Sequence, residues 1–268
     1  MPYHHVKENV IYMTHESGFF SCSSVRLDAI ITYFNEHNFT LPESVDTTGS
    51  YTWYKKNKGD DVFDFFENPG SIVVEPEREV VDYNQTYQWI DYSKLNFSLI
   101  SPFVKKYFTP SRQIYDIVDA IETKYNIVDY SNMCVLFYRG NDKIPEAKYR
   151  KKKRSVYSQY VTHAKKILEL DPSTRFLIQS DETDFIDKIM KDVPGSFMFS
   201  DEIRHMKCNP RTTVDKVFPD NHGFSKKFLA ITLIMAKCNR LVMCNGNCGI
   251  WTVFYRGNIE NVVQLSPS

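Results

Sequence analysis

An α/β fold built on a doubly wound parallel sheet is what this sequence predicts, and three short apolar runs carry the prediction. Met133-Cys134-Val135-Leu136-Phe137-Tyr138 breaks off in Arg139-Gly140-Asn141-Asp142-Lys143. Phe176-Leu177-Ile178-Gln179 breaks off in Ser180-Asp181-Glu182, and Leu241-Val242-Met243-Cys244 in Asn245-Gly246-Asn247-Cys248-Gly249. Continuous apolar runs of this length read as strands buried on both faces, and helical stretches separate them. Strands alternating with helices make a parallel sheet covered on both sides. Open sheets of that kind bind ligands beyond the carboxyl ends of their strands. One basic loop and two polar or acidic loops at those ends suit an anionic, nucleotide-like ligand.

From the N-terminus, weak strand signals occur at Val10-Ile11-Tyr12-Met13 and at Ile72-Val73-Val74. Between them Val25, Leu27, Ile30, Ile31 and Phe34 form one helical stripe within residues 24–35. Gly18, with Ser17, Ser21, Ser23 and Ser24, reads as the loop that precedes and caps this helix. A lobe junction is expected near Ser101-Pro102 or just beyond at Thr109-Pro110-Ser111, which divides the chain into residues 1–105 and 106–268. Ile114, Ile117, Val118 and Ile121 share one face of a helix over 114–125. After the first strong strand come a helix over 156–170, the second strand, a helix through 185–190 and a strand-like stretch at 196–199. A long helix over 225–237 leads into the third strand.

The 268 residues carry 33 Lys+Arg and 33 Asp+Glu, so no net field favours nucleic acid or an anionic membrane. No window approaches ~18 consecutive apolar residues, which argues against a membrane span. Met1 to Lys7 lack the apolar core of a secretory signal. The six cysteines, at 22, 134, 208, 238, 244 and 248, show no disulfide-scaffold spacing. Reduced thiols in a soluble cytoplasmic protein are the expectation. Aromatic residues make up 15% of the chain; they read as core material rather than a carbohydrate platform. No P-loop, G-x-S-x-G or H-E-x-x-H pattern occurs.

At the strand ends, Arg139 has a fork that matches phosphate oxygens. A structural pair with Asp142 is the other reading. Ser180, Asp181 and Glu182 suit ribose hydroxyls or the N–H edge of guanine, or equally an N-cap with acids on the first turn. Asn245, Gly246 and Asn247 allow close backbone approach ahead of a helix N-terminus, and a plain tight turn is the alternative. Cys238, Cys244 and Cys248 lack a compact C-x-x-C pair, so no metal is expected there. The run Lys148-Tyr149-Arg150-Lys151-Lys152-Lys153-Arg154 is a solvated segment or a grip on an anionic substrate.

At these residues the chain resembles the fucosyltransferase superfamily of inverting GDP-sugar glycosyltransferases, closest to the α-1,2 and α-1,6 type. Phe137-Tyr138-Arg139-Gly140-Asn141-Asp142-Lys143 is similar to the H-V-R-R-x-D-K motif, with Arg139 on its first arginine, Phe137 on its histidine and Gly140 on its second arginine. Leu177-Ile178-Gln179-Ser180-Asp181-Glu182 is similar to the second motif. Cys238-Asn239-Arg240-Leu241-Val242-Met243 followed by Gly249-Ile250-Trp251 is similar to C-N-H-x-x-M…F-G-I-W. The likeness covers residues 130–265; over the first hundred only the Gly18-Phe19-Phe20-Ser21 loop matches, and weakly.

The resemblance implies a GT-B-like fold of two Rossmann-like lobes, with residues 1–105 on the acceptor side and 106–268 binding the nucleotide sugar. It implies transfer of fucose or a related deoxysugar from GDP to a glycan hydroxyl, without a cofactor or metal. Arg139 would meet the donor β-phosphate. Gly18, Asp142, Ser180, Asp181, Glu182, Phe224, Ser225, Asn245, Gly246 and Asn247 would make further donor contacts. The base is open among Glu16, Asp28 and Glu43, and a non-catalytic nucleotide- or carbohydrate-binding protein on the same fold is the rival reading.

Overall fold

The computed structural model describes residues 3–141, 153–209 and 211–265. It begins with a hairpin of β1 (His4–Lys7) and β2 (Val10–Met13), paired antiparallel. Glu8 and Asn9 turn the hairpin with φ of 51° and 62°, the positive values that a two-residue loop needs to match strand twist. Helix α1 (Phe19–Glu36) then crosses to β3 (Ser44–Asp46), which pairs parallel to β2. The first lobe is thus a minimal βαβ unit with an added edge strand.

Helix α1 starts five residues before the expected stripe, so Ser21, Ser23 and Ser24 lie inside it. Gly18 is the N-cap, and no side chain caps the helix. Each serine is occupied elsewhere: Ser23 Oγ donates to Phe19 O at 3.2 Å, and Ser24 Oγ to Asn247 Oδ1 at 2.7 Å. Ile72-Val73-Val74 is not a strand, because it has no pairing partner among the described residues and Val73 is 94% exposed. Ser101 and Pro102 fall inside α2 (Phe97–Phe108), so the 105/106 division runs through that helix. Its six buried apolar residues explain why the helix continues past the proline.

Helix α3 (Arg112–Lys124) leads into β4 (Met133–Tyr138), and α4 (Lys153–Leu170) into β5 (Arg175–Ser180). Next come α5 (Thr183–Asp192), β6 (Ser196–Phe197), the single turn α6 (Val214–Val217) and α7 (Asn221–Lys237). The chain closes with β7 (Arg240–Cys244), α8 (Asn247–Arg256) and β8 (Val262–Leu265). The five strands are all parallel, in the order β6-β5-β4-β7-β8. Chain order therefore reverses between β4 and β7, and a doubly wound sheet opens its ligand crevice above such a reversal.

All six residues of β4 are buried, as the central strand of a sheet covered on both faces should be. One apolar core runs from α1 through the sheet to α8. Trp251 is fully buried where those helices meet, its ring 4.6 Å from Phe108 and its Nε1 donating to Ser24 Oγ at 2.9 Å.

Candidate functional site

Register delivers the site. The pair Tyr138↔Ser180 sets Arg139 level with Asp181, and the pair Phe137↔Met243, two residues back, sets it level with Asn245 along the top edge of the sheet. Above that edge opens a cleft of about 520 Å³, walled on its far side by the start of α1. Gly18, Arg139, Asp181, Phe224, Ser225, Asn245, Gly246 and Asn247 all line it. Ser180 and Glu182 lie beneath the wall instead. Ser180 Oγ is buried and accepts from Glu182 N at 3.1 Å, while Glu182 accepts from the Tyr157 hydroxyl. A Cβ on Gly140 would stand 1.9 Å from Glu182 Oε2, so a larger residue there would force that carboxylate to move. Asp142 and Lys148 to Lys152 lie outside the described residues.

Arg139 sits at the reversal itself. Its Nη1 donates to Cys248 Sγ at 3.2 Å, and its Nε stands 4.0 Å from Asp181 Oδ2. Asp181 is held by Gly140 N, which donates to Oδ1 at 2.8 Å. The backbone N–H of Arg139 donates to Cys244 Sγ at 3.3 Å, and burial pushes the Cys244 thiol up to about 12.

Two helices open onto the cleft without side-chain caps. One is α1, capped by Gly18; the other is α8, capped by Gly246 at φ 127°, a conformation that favours glycine. Their first-turn N–H groups form electropositive ends suited to an anion. The loop before α8 is fixed in place: Gly246 N donates to Gln88 O at 3.0 Å, and Asn247 Oδ1 accepts from Ser24. Cys244 and Cys248 face Arg139, whereas Cys238 Sγ donates to Ile234 O at 3.4 Å under α7. No group of three metal-ligating side chains converges among the described residues.

None of Glu16, Asp28 and Glu43 lines the cleft. Glu16 accepts from Thr52 Oγ1 at 2.7 Å beside the entrance, Glu43 is exposed, and burial on α1 raises the Asp28 carboxyl. Besides Asp181, the carboxylate lining the cleft is Asp215, whose Oδ2 accepts from the Tyr54 hydroxyl at 3.2 Å. Burial, and then the Asp215 charge, keep that phenol protonated far above its ordinary range. Arg204 also reaches the cleft, its guanidinium carbon 4.2 Å from the Phe224 ring centre and its Nη1 donating to Asn221 Oδ1 at 2.9 Å. Trp53, Tyr54, Trp89, Arg204, Asp215 and Lys216 were not expected from sequence. They lie on irregular segments or on single helical turns (Trp89 at the end of a 3-10 turn, Asp215 and Lys216 on α6), too short for periodicity, and only the local density of aromatic residues around Trp53-Tyr54 hinted at a surface role.

Two solved structures share this architecture. A NodZ alpha-1,6-fucosyltransferase co-crystallised with GDP superposes with a TM-score of 0.56 at 12% identity, covering 94% of this chain and 92% of that one. The fold is fucosyltransferase-like. Fucosyltransferase NodZ from Bradyrhizobium superposes at 0.52 and 12% identity, over 94% and 93% of the two chains. No protein-family model and no curated protein matches the chain. The GT-B-like expectation holds, and the structural match extends over the first hundred residues, where the motif likeness was weakest. No helix among the described residues is long and apolar enough to cross a membrane.

Proposed function

We propose that this chain is an inverting glycosyltransferase that moves fucose, or a related deoxysugar, from GDP to a glycan hydroxyl. The observation that carries the reading is Arg139, held at the β4–β7 reversal beside the uncapped start of α8. A diphosphate lying along those strand ends meets the guanidinium fork and the first-turn N–H groups together. Asp181, level with Arg139 on the next strand, accepts from a ribose hydroxyl or the guanine N–H edge. The GDP held by one of the two structural neighbours supports the same donor class.

As the sugar–oxygen bond breaks, negative charge builds on the departing diphosphate, and preorganised donors stabilise that charge most in the transition state. Arg139 and the helix N-termini supply this stabilisation, so we assign the reaction no metal. Inversion needs an acceptor hydroxyl attacking from the opposite face and a base to take its proton. We assign that base to Asp215, a cleft carboxylate oriented by the Tyr54 hydroxyl.

Calorimetry tests the donor: GDP is expected to bind better than UDP. UDP tighter by more than about 1.4 kcal/mol, which is tenfold, overturns the GDP assignment. Incubation with GDP-fucose and a glycan panel tests the reaction. GDP saturation with neither transfer nor donor hydrolysis would leave a non-catalytic nucleotide-binding protein on the same fold.

A further inference from the structure

Among the described residues, the charged ones lining the cleft, Arg139, Asp181, Arg204, Asp215 and Lys216, all come from the C-terminal half of the chain. The wall opposite, built from residues 17–21, 53–54 and 88–89, carries no charge. It carries two tryptophans instead. Of the three tryptophans in the chain, Trp251 is fully buried, whereas Trp53 and Trp89 line the cleft and remain 45% and 46% exposed. Leaving half an indole in water forfeits a large part of the stabilisation that burying it would bring. A single exposed apolar residue is ordinary, but two indoles opening into one cavity mark a binding surface.

The polar groups beside Trp89 define what that surface takes. Gln88 and Asn245, whose neutral amides can both donate and accept, line the same cavity. Neutral amides on a cavity wall suit a ligand rich in hydroxyls, which both donate and accept. Flat indoles call for an apolar face, and the absence of charge argues against an anionic or cationic ligand. A β-linked pyranoside combines these properties: hydroxyls around its rim, and axial C–H groups on a face that stacks on an aromatic ring. We propose that Trp53 and Trp89 form the acceptor platform of the cleft, binding a β-linked gluco- or galacto-configured glycan opposite Arg139. The proposal rests on the transferase reading for the word acceptor, but binding of the glycan can be read without it.

Tryptophan fluorescence of the intact chain provides that reading, because the buried Trp251 contributes a constant background. Cellobiose and lactose are titrated to millimolar concentration, with methyl α-mannoside as control, since its axial groups at C1 and C2 interrupt both ring faces. A saturable change with at least one disaccharide and little with the mannoside is expected, diminished in Trp53→Ala and in Trp89→Ala. No response to either disaccharide in the intact chain overturns the platform, as does an undiminished response in both variants. Melting curves confirm that the variants are folded. Parallel GDP calorimetry separates the two ideas: GDP binding without a glycan response sinks the platform alone, and a glycan response without GDP binding sinks the transferase reading alone. In turnover assays each alanine variant should raise the acceptor KM about tenfold and change kcat far less. An unchanged KM in both variants also overturns the proposal.

Discussion

Arg139 stands at the one place in the sheet where chain order reverses, its Nη1 on the Cys248 thiol and its Nε 4.0 Å from an Asp181 carboxylate oxygen. If it faces the donor diphosphate, its contact strengthens as the bond breaks and acts mainly on rate. Arg139→Ala should then cost about 2.7–4 kcal/mol of barrier, by analogy with removing one oxyanion donor. Arg139→Lys should recover only part, since an ammonium keeps the charge and loses the fork. Measuring kcat together with melting temperature decides between this and a structural ion pair: a destabilised but fully active Arg139→Ala removes the residue from the mechanism. For Asp215→Asn, transfer should fall by about 10²–10⁴-fold while GDP affinity holds, the signature of a lost base. Far from the cleft, Arg26 is 2% exposed, with Nε and Nη1 unpartnered among the described residues. Its guanidinium lies 4.9 Å from the Phe108 ring centre. One or two cation–π contacts, each about 2 kcal/mol when desolvated, do not match the several kcal/mol cost of a buried charge without a carboxylate. Arg26→Met should therefore raise stability, on the order of 1–4 kcal/mol in urea unfolding; a clear loss would show that the rings and nearby phenols hold the charge better than this balance allows.

Helix α8 is the element that joins the two halves, because it rises from β7 and packs against α1. Its approach to the strand depends on Gly249. A Cβ there would lie 2.6 Å from Cys244 O, a backbone atom that cannot swing aside, and 3.2 Å from the Tyr92 hydroxyl. Gly249→Ala should destabilise the fold by about 1–3 kcal/mol, the usual cost of overpacking. The first turn of α8 also lines the cleft, so GDP affinity should fall in the same variant. A native unfolding midpoint in Gly249→Ala would mean that the helix can shift outward freely. The motif match around Gly249-Ile250-Trp251 thus has a local physical reason, a close helix–strand approach followed by a core tryptophan bonded to Ser24.

Across the whole molecule, the cleft sets the charged edge of one sheet against an uncharged wall from the other half. If the cleft holds a diphosphate between a guanidinium and two helix ends, it does not need a divalent cation for the same task. Turnover should survive EDTA; activity abolished by chelator and restored by magnesium or manganese would replace this electrostatic account with a metal-assisted one.

Periodicity and apolar run length were enough to read β4, β5, β7, α3, α4 and α7 from sequence, because each is defined by burial of its own face. The charged and small residues at the strand ends were legible for the same reason: a run that stops being apolar stops at the edge of the sheet. The reading of residues 72–74 as a strand failed because three β-branched or apolar residues carry propensity but no partner, and strands form by pairing. Of the two junction positions read from sequence, Ser101-Pro102 falls inside α2, where a core formed with α1 and α8 outweighs the proline, and Thr109-Pro110-Ser111 lies between α2 and α3. Register alone decided that Asp181 faces the cleft while Ser180 and Glu182 turn beneath it. Trp53, Trp89, Arg204 and Asp215 come from irregular segments or single helical turns, whose positions depend on the surfaces they cross. What this chain builds along each element is local and was written in the order of its residues. Which side chains share a cavity is set by contacts between distant segments, and only the folded structure decides it.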